Sequence, residues 1–137
     1  MNGPPMLTWG NLTVGDRLRS FEFEVTRHTA VALRSAIADE NGRASDLAPS
    51  GLVTFPMLNA IDATWSQRPG TVHVRQRFAF RAPIPIGARL RVEGQLVRME
   101  LRRGRRYLLI DLEVFDGTGA AVATGETTVL YPEEVST

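Results

Sequence analysis

At 137 residues, with sixteen basic side chains against fifteen acidic and a net charge of +1, the chain is sized for one domain with a single core. Its total charge points to neither a nucleic-acid nor a membrane-surface partner. It has no cysteine, and all sixteen basic residues are arginine, which removes disulfides, thiolate nucleophiles, cysteine-ligated metal, lysine bases and Schiff-base chemistry together.

Any mechanism must therefore run on carboxylates, hydroxyls, amides, backbone donors, arginine and the imidazoles of His28 and His73. No apolar run approaches 18 residues, and Met1 to Gly10 lacks the basic start and apolar core of a secretion signal. A cytoplasmic protein is expected.

In chain order, residues 1–10, with Pro4 and Pro5, have no period and read as a loose arm. Leu12 to Leu18 holds a turn at Gly15 and Asp16. Phe21, Phe23 and Val25 then alternate with Glu22 and Glu24, the period of a half-buried strand. Thr26 is placed to cap a short helix over Arg27 to Ala38, which ends in the polar turn Asp39, Glu40, Asn41, Gly42.

The stretch from Asp46 to Trp65 is the one long apolar segment with helical spacing, Leu58, Ile61 and Trp65 falling on one face. Thr54 is expected to cap it and Pro56 to sit in its first turn, where a missing donor costs nothing. Val53, Phe55, Met57 and Ala60 make the other side apolar too. A helix apolar nearly all round is usually buried.

Beyond it, Val72, Val74, Phe78 and Phe80 alternate with His73, Arg75, Arg77 and Arg81, predicting a strand with one apolar and one cationic face. Pro83, Pro85 and Gly87 break it. Leu90 to Leu101 and Tyr107 to Val114 are two more strands, joined by an arginine-rich hairpin turn from Arg102 to Arg106, and Ala121 to Tyr131 is a last strand after the turn at Asp116 to Gly119. The order strand, short helix, long buried helix, four strands in meander implies an α+β domain: an antiparallel five-stranded sheet wrapped around one helix.

Three segments resemble the hot-dog fold, and within it the MaoC-like family of (R)-specific enoyl-thioester hydratases and dehydratases. They are Asp39, Glu40, Asn41 with Asp46; the Ser50, Gly51 start of the buried helix; and Phe80, Arg81, Ala82, Pro83 with Gly87 and Leu90. The family motif runs Asp, any residue, Asn, Pro, any residue, His, any residue, Asp. Asp39, Asn41 and Asp46 match, but Gly42 replaces the proline and Ala44 stands where the histidine belongs.

In the resembled family the motif's aspartate and histidine together position a water and move its proton; the resemblance implies that role for Asp39 and makes Asn41 a further candidate site residue. It also implies that the backbone N–H of Gly51 receives the thioester oxygen at the helix start, with Ser50, Thr54 and Phe55 contacting the substrate. On the residues alone, Gly51 is equally a loop glycine and Asp39 an exposed turn carboxylate. His73, in register with the arginines, reads as a surface or dimer-edge residue, and His28 as a partly exposed helix residue.

The arginine turn suits either a coenzyme A phosphate or acidic carrier protein, or a solvated hairpin tip. No cofactor is implied, the acyl group being carried on coenzyme A or acyl carrier protein. A homodimer is expected, or a heterodimer with a homologue that retains the histidine. The implied function is an acyl-thioester-binding protein related to hydratases and dehydratases, with weak or lost activity. The alternatives are a non-catalytic subunit and a thioesterase using Asp39.

Overall fold

A computed structural model describes residues 3–36, 47–66 and 69–132. Strand β1 (Phe21–Glu24) shows the predicted alternation, its phenylalanines half-buried and its glutamates exposed. Helix α1 (Arg27–Ala36) starts as predicted: the Thr29 N–H donates to Thr26 Oγ1 at 3.2 Å, satisfying one of the orphan donors of the first turn.

A two-residue strand β2 (Leu47–Ala48) leads into a 3₁₀ turn at Ser50–Val53 and then helix α2 (Thr54–Thr64). Thr54 is not the cap. It is already helical (φ −56°, ψ −42°), and its N–H reaches the carbonyls of Gly51 and Leu52. The 3₁₀ turn does with backbone what the threonine hydroxyl was expected to do. Pro56 falls in the first α turn as predicted and is buried.

Nor is α2 covered on every side. Leu52, Val53, Met57, Ala60 and Ile61 are buried, yet Phe55, Asn59 and Asp62, spaced four and three apart, form an exposed stripe.

Strands β3 (Val72–Phe80), β5 (Arg89–Arg102), β6 (Arg105–Phe115) and β7 (Ala121–Leu130) join β1 in one antiparallel sheet, ordered β1-β5-β6-β7-β3. The two-residue strand β4 (Ile84–Pro85) pairs with β2. The expected four-strand meander holds only for β5, β6 and β7. β3 lies at the far edge beside β7, because the proline-broken link after it cannot make a hairpin. That link crosses instead to the other edge, where the Gly87 N–H reaches the Val25 carbonyl at 2.7 Å and the Val25 N–H the Ala88 carbonyl at 2.9 Å.

Cross-strand rows define the face that meets α2: Leu108, Val129 and His73; Ile110, Thr127 and Gln76; Leu112, Gly125 and Phe78; Val114, Ala123 and Phe80. Along β6 and β7 nearly all of these are buried. The helix approaches so closely at Gly125 that a Cβ there would stand 2.9 Å from Met57 Sδ.

The N-terminal arm, expected to be loose, is tied down from Pro5 to Trp9. The Leu7 N–H and Ser66 carbonyl meet at 2.7 Å, as do the Ser66 N–H and Pro5 carbonyl. Leu7 is buried in the core, and the Trp9 ring packs edge-on to Tyr131, centroids 5.7 Å apart. Two apolar side chains and three backbone bonds outweigh the missing period, since the Trp9 N–H also donates to the Tyr131 hydroxyl at 3.1 Å.

Candidate functional site

The entrance of α2 is built from backbone. The first N–H groups of a helix have no partner inside it and carry the positive end of its dipole. Among them, Leu52 donates back to Pro49 at 3.0 Å, while Gly51 is exposed and a Cβ on it would meet nothing within 4 Å among the described residues. Backbone that the described residues leave uncovered is what an incoming carbonyl oxygen requires. Thr54, half-buried, and Phe55, 48% exposed, follow on the first helical turn. Of Ser50 only the backbone is described.

Helix and sheet fix the orientation of this entrance. Met57 sits against Gly125, the cross-strand neighbour of Phe78, whereas Asp62 and Trp65 line one groove with His73 and Gln76. α2 therefore runs antiparallel to β3, its start at the Phe80 end. There Phe78 and Phe80 stack with centroids 6.0 Å apart, and Phe80 stays 45% exposed. Exposed apolar surface thus stands at the end of β3 where α2 begins.

Asp39, Glu40, Asn41, Gly42, Ala44 and Asp46, the motif expected to move the proton, lie outside the described residues. They join α1 to β2, and β2 runs straight into the turn that carries Gly51.

His73 is not where its alternation placed it. A β-bulge between His73 and Arg75 inserts Val74 as an unpaired residue, so the faces exchange along β3. Phe78 and Phe80 face the helix as predicted, and Arg75 and Arg77 face away, opposite Thr128 and Glu126. Val72, however, is turned outward, and His73, opposite buried Val129, is turned toward α2.

His73 consequently lines a groove of about 610 Å³ with Pro4, Leu58, Asp62, Trp65, Ser66 and Gln76. Gln76 Nε2 is buried, with no hydrogen-bond partner among the described residues. A period-2 reading passes over this grouping, because a bulge leaves no mark in the hydrophobic pattern. His28, on the exposed first turn of α1, remains a surface residue.

The hairpin turn is tight, with positive φ at Arg103 (50°) and Gly104 (76°). Arg102 is bound to Glu100 at 2.6 Å and lies over the Tyr107 ring, and Arg106 lies over Trp9. Arg103 and Arg105 are exposed at the tip. On the outer sheet face, burial and the neighbouring Glu126 carboxylate raise the pKa of Asp111. No group of three or more metal-ligating side chains occurs among the described residues, and no described helix is long and apolar enough to cross a membrane.

No family model matches the chain, and no curated protein matches it. Its fold, however, is the hot-dog fold of MaoC-like dehydratases and (R)-hydratases. The R-hydratase PhaJ1 from Pseudomonas aeruginosa superposes with a TM-score of 0.76 at 20% identity, covering 93% of this chain and 89% of that one. A MaoC-like dehydratase from Rhodospirillum rubrum gives 0.78 at 14% identity, covering 94% and 99%.

The HadBC 3R-hydroxyacyl-ACP dehydratase complex from Mycobacterium tuberculosis gives 0.69 at 21% identity, covering 85% and 96%. A fluoroacetyl-CoA-specific thioesterase, FlK, shares the fold at 0.69 and 20% identity, covering 88% and 87%. Likeness at this level is one of fold, and the fold spans at least two reaction types.

Proposed function

We propose that this chain binds an acyl thioester at the entrance of α2 and that the chemistry belonging to the site is hydration of an enoyl thioester or the reverse dehydration. The observation that carries this reading is the exposed Gly51 backbone at the start of α2, with Phe55 on the first helical turn and Phe80 at the same end of β3 both exposed.

In hydration, Asp39 takes a proton from water as the water oxygen bonds to the β-carbon. The double-bond electrons shift toward the α-carbon, and negative charge grows on the thioester oxygen, where the Gly51 N–H receives it. The protonated Asp39 then gives that proton to the α-carbon, which restores the carboxylate and leaves one water added across the double bond. Dehydration runs the same steps backwards. Ser50, Thr54 and Phe55 line the acyl approach, and Asn41 is a further candidate from the same motif as Asp39. No cofactor enters the balance. The acyl carrier is coenzyme A or acyl carrier protein, the setting is the cytoplasm, and the working unit is a dimer.

A second reading rests on Ala44, which stands where the resembled family places its imidazole. In that reading the chain holds the acyl group as a non-catalytic subunit beside a partner with an intact histidine; the dehydratase neighbour HadBC is itself a complex. The test is one assay with crotonyl-CoA and longer trans-2-enoyl-CoA esters, following enoyl absorbance and released thiol together, with Asp39→Ala alongside. Enoyl loss without thiol, abolished by the substitution, establishes the hydratase. Thiol release moves the assignment to thioesterase. No signal above the Asp39→Ala control leaves the non-catalytic subunit.

A further inference from the structure

Two polar atoms buried between sheet and helix have nothing to bond to. Gln76 of β3 and Thr127 of β7 stand directly opposite each other across the strand pair, on the side that meets α2. Thr127 is fully buried, and its Oγ1 and Gln76 Nε2 both lack a hydrogen-bond partner among the described residues. They do not satisfy one another either. A buried polar group left unmatched is costly, and native structures hold few of them. Two at adjoining positions, in a sheet face otherwise filled by Leu108, Ile110 and Val129, mark a place prepared for a further group.

Gln76 also lines the groove of about 610 Å³ that holds Asp62 and His73, a size ordinary for a small-molecule pocket. Its walls at Pro4, Leu58 and Trp65 are apolar. Asp62 lies eleven residues beyond Gly51, which at 1.5 Å per residue sets the groove roughly 16 Å from the helix start. The groove and the Gly51 entrance are therefore at opposite ends of α2.

The chemistry of the occupant follows from this lining. The nitrogen of a carboxamide only donates, and a threonine hydroxyl can donate too. Residues directly opposite across strands have Cβ atoms roughly 4.5–5.5 Å apart, so one carbonyl oxygen between the two side chains accepts from both. A carboxylate or phosphate is disfavoured: among the described residues no arginine lines the groove and Asp62 does, which leaves a second negative charge repelled and desolvated. An N–H on the ligand instead finds an acceptor in Asp62, since a carboxylate takes several hydrogen bonds. A neutral carbonyl joined to an N–H is an amide.

We propose that the groove is a binding site for a small aliphatic amide, its carbonyl oxygen on Gln76 and Thr127, its N–H toward Asp62 and its hydrocarbon against Leu58 and Trp65. The site goes beyond the thioester reading and does not depend on it.

Trp65 reports on the groove directly. In a Trp9→Phe background it is the one remaining tryptophan, and hexanamide, hexanoate and hexylammonium present one hydrocarbon chain with three head groups. Hexanamide is expected to shift Trp65 emission saturably, and the two charged probes to bind about tenfold more weakly, the factor that one mismatched polar group brings. Gln76→Met and Thr127→Val, close in shape to the residues they replace, are each expected to weaken hexanamide about tenfold. Both are expected to melt at or above the temperature of their parent, because each exchanges an unmatched polar group for an apolar one. The absence of a saturable shift with hexanamide overturns the proposal, as does undiminished binding by the variants or binding of either charged probe as tight as the amide's. If both variants melt well below their parent, ordered water satisfies the two groups and the groove is not an amide site.

Discussion

Met57 lies against Gly125 so tightly that a Cβ on the glycine would come within 2.9 Å of the sulfur and 3.0 Å of the terminal methyl. The second mid-sheet glycine, Gly94, is hemmed by harder neighbours: the Asp111 carbonyl at 2.7 Å and Leu112 Cδ2 at 2.8 Å. Both are strand glycines whose missing side chain is filled by something else. The outcome of substitution is decided by what must move.

For Gly125→Ala the obstacle is the end of a flexible thioether, and alanine recovers about 0.5–1 kcal/mol of strand entropy. That variant is expected to fall within about 1 kcal/mol of wild type. For Gly94→Ala backbone must shift, and a net loss of about 1–3 kcal/mol is expected. Urea midpoints of the two variants check the ordering. Equal losses would mean that Met57 is held as rigidly as the strand itself.

The docked arm makes a second prediction. Trp9 packs edge-on to Tyr131 and takes Arg106 over its face at 5.4 Å, so Trp9→Ala removes an aromatic pair and a cation–π contact together. Each is worth about 0.5–1.5 kcal/mol beyond area burial. A loss of about 2 kcal/mol is expected, with Leu7→Ala, from full burial, costing about 2–5 kcal/mol. Denaturant melts of both decide it, and unchanged midpoints would mean the arm adds nothing.

How far the fold was legible follows from where local signals are uninterrupted. The phenylalanines of β1, the Thr26 cap and the start of α2 near Thr54 came directly from residue order, because each rests on neighbours a few positions apart. Phe78 and Phe80 were assigned to the right face of β3. His73 was assigned to the wrong one, since a single inserted residue, Val74, reverses the alternation and nothing in the pattern of Val, His and Arg records it. β3 itself was placed beside the wrong neighbour, because strand order depends on where a proline-broken link is anchored, here at Val25. At the candidate site, Gly51 was singled out by the resemblance, and its exposure is seen only in the structure. Asp62 and Gln76 were not singled out at all.

Two carboxylates give opposite pH dependences. Asp116 accepts the Thr118 hydroxyl at 2.6 Å and the N–H groups of Thr118 and Ala120, and the Thr118 side-chain bond leads the causes that lower its pKa. A lowered native pKa stabilises above the unfolded value, and the contribution fades as pH falls through the native one. Asp116→Ala is therefore expected to melt lower than wild type at neutral pH, and the two curves to converge in acid.

Asp111 is the reverse case: burial first, then Glu126, raises its pKa. Its cost is absent in acid and appears as pH rises through the carboxylate range. Asp111→Asn is expected to gain on wild type toward neutral pH. Melting temperatures of both variants between pH 3 and pH 7 check the two signs.

The Gly51 donor can be separated from the Gly51 side-chain position. None of the described residues lies within 4 Å of a Cβ there, so Gly51→Ala keeps the N–H and is expected to change acyl-thioester turnover by no more than a few-fold. Gly51→Pro removes the donor in a first turn that tolerates proline's fixed φ. If the thioester oxygen rests on that N–H, its loss costs on the order of 10²–10³ in rate, with the melting curve close to that of Gly51→Ala. Steady-state rates with one enoyl-CoA ester, read beside the melts, distinguish the cases. If the alanine and proline variants turn over equally, the helix entrance is not the oxyanion site. If the proline variant alone fails and still melts with the alanine variant, the missing hydrogen bond is the cause.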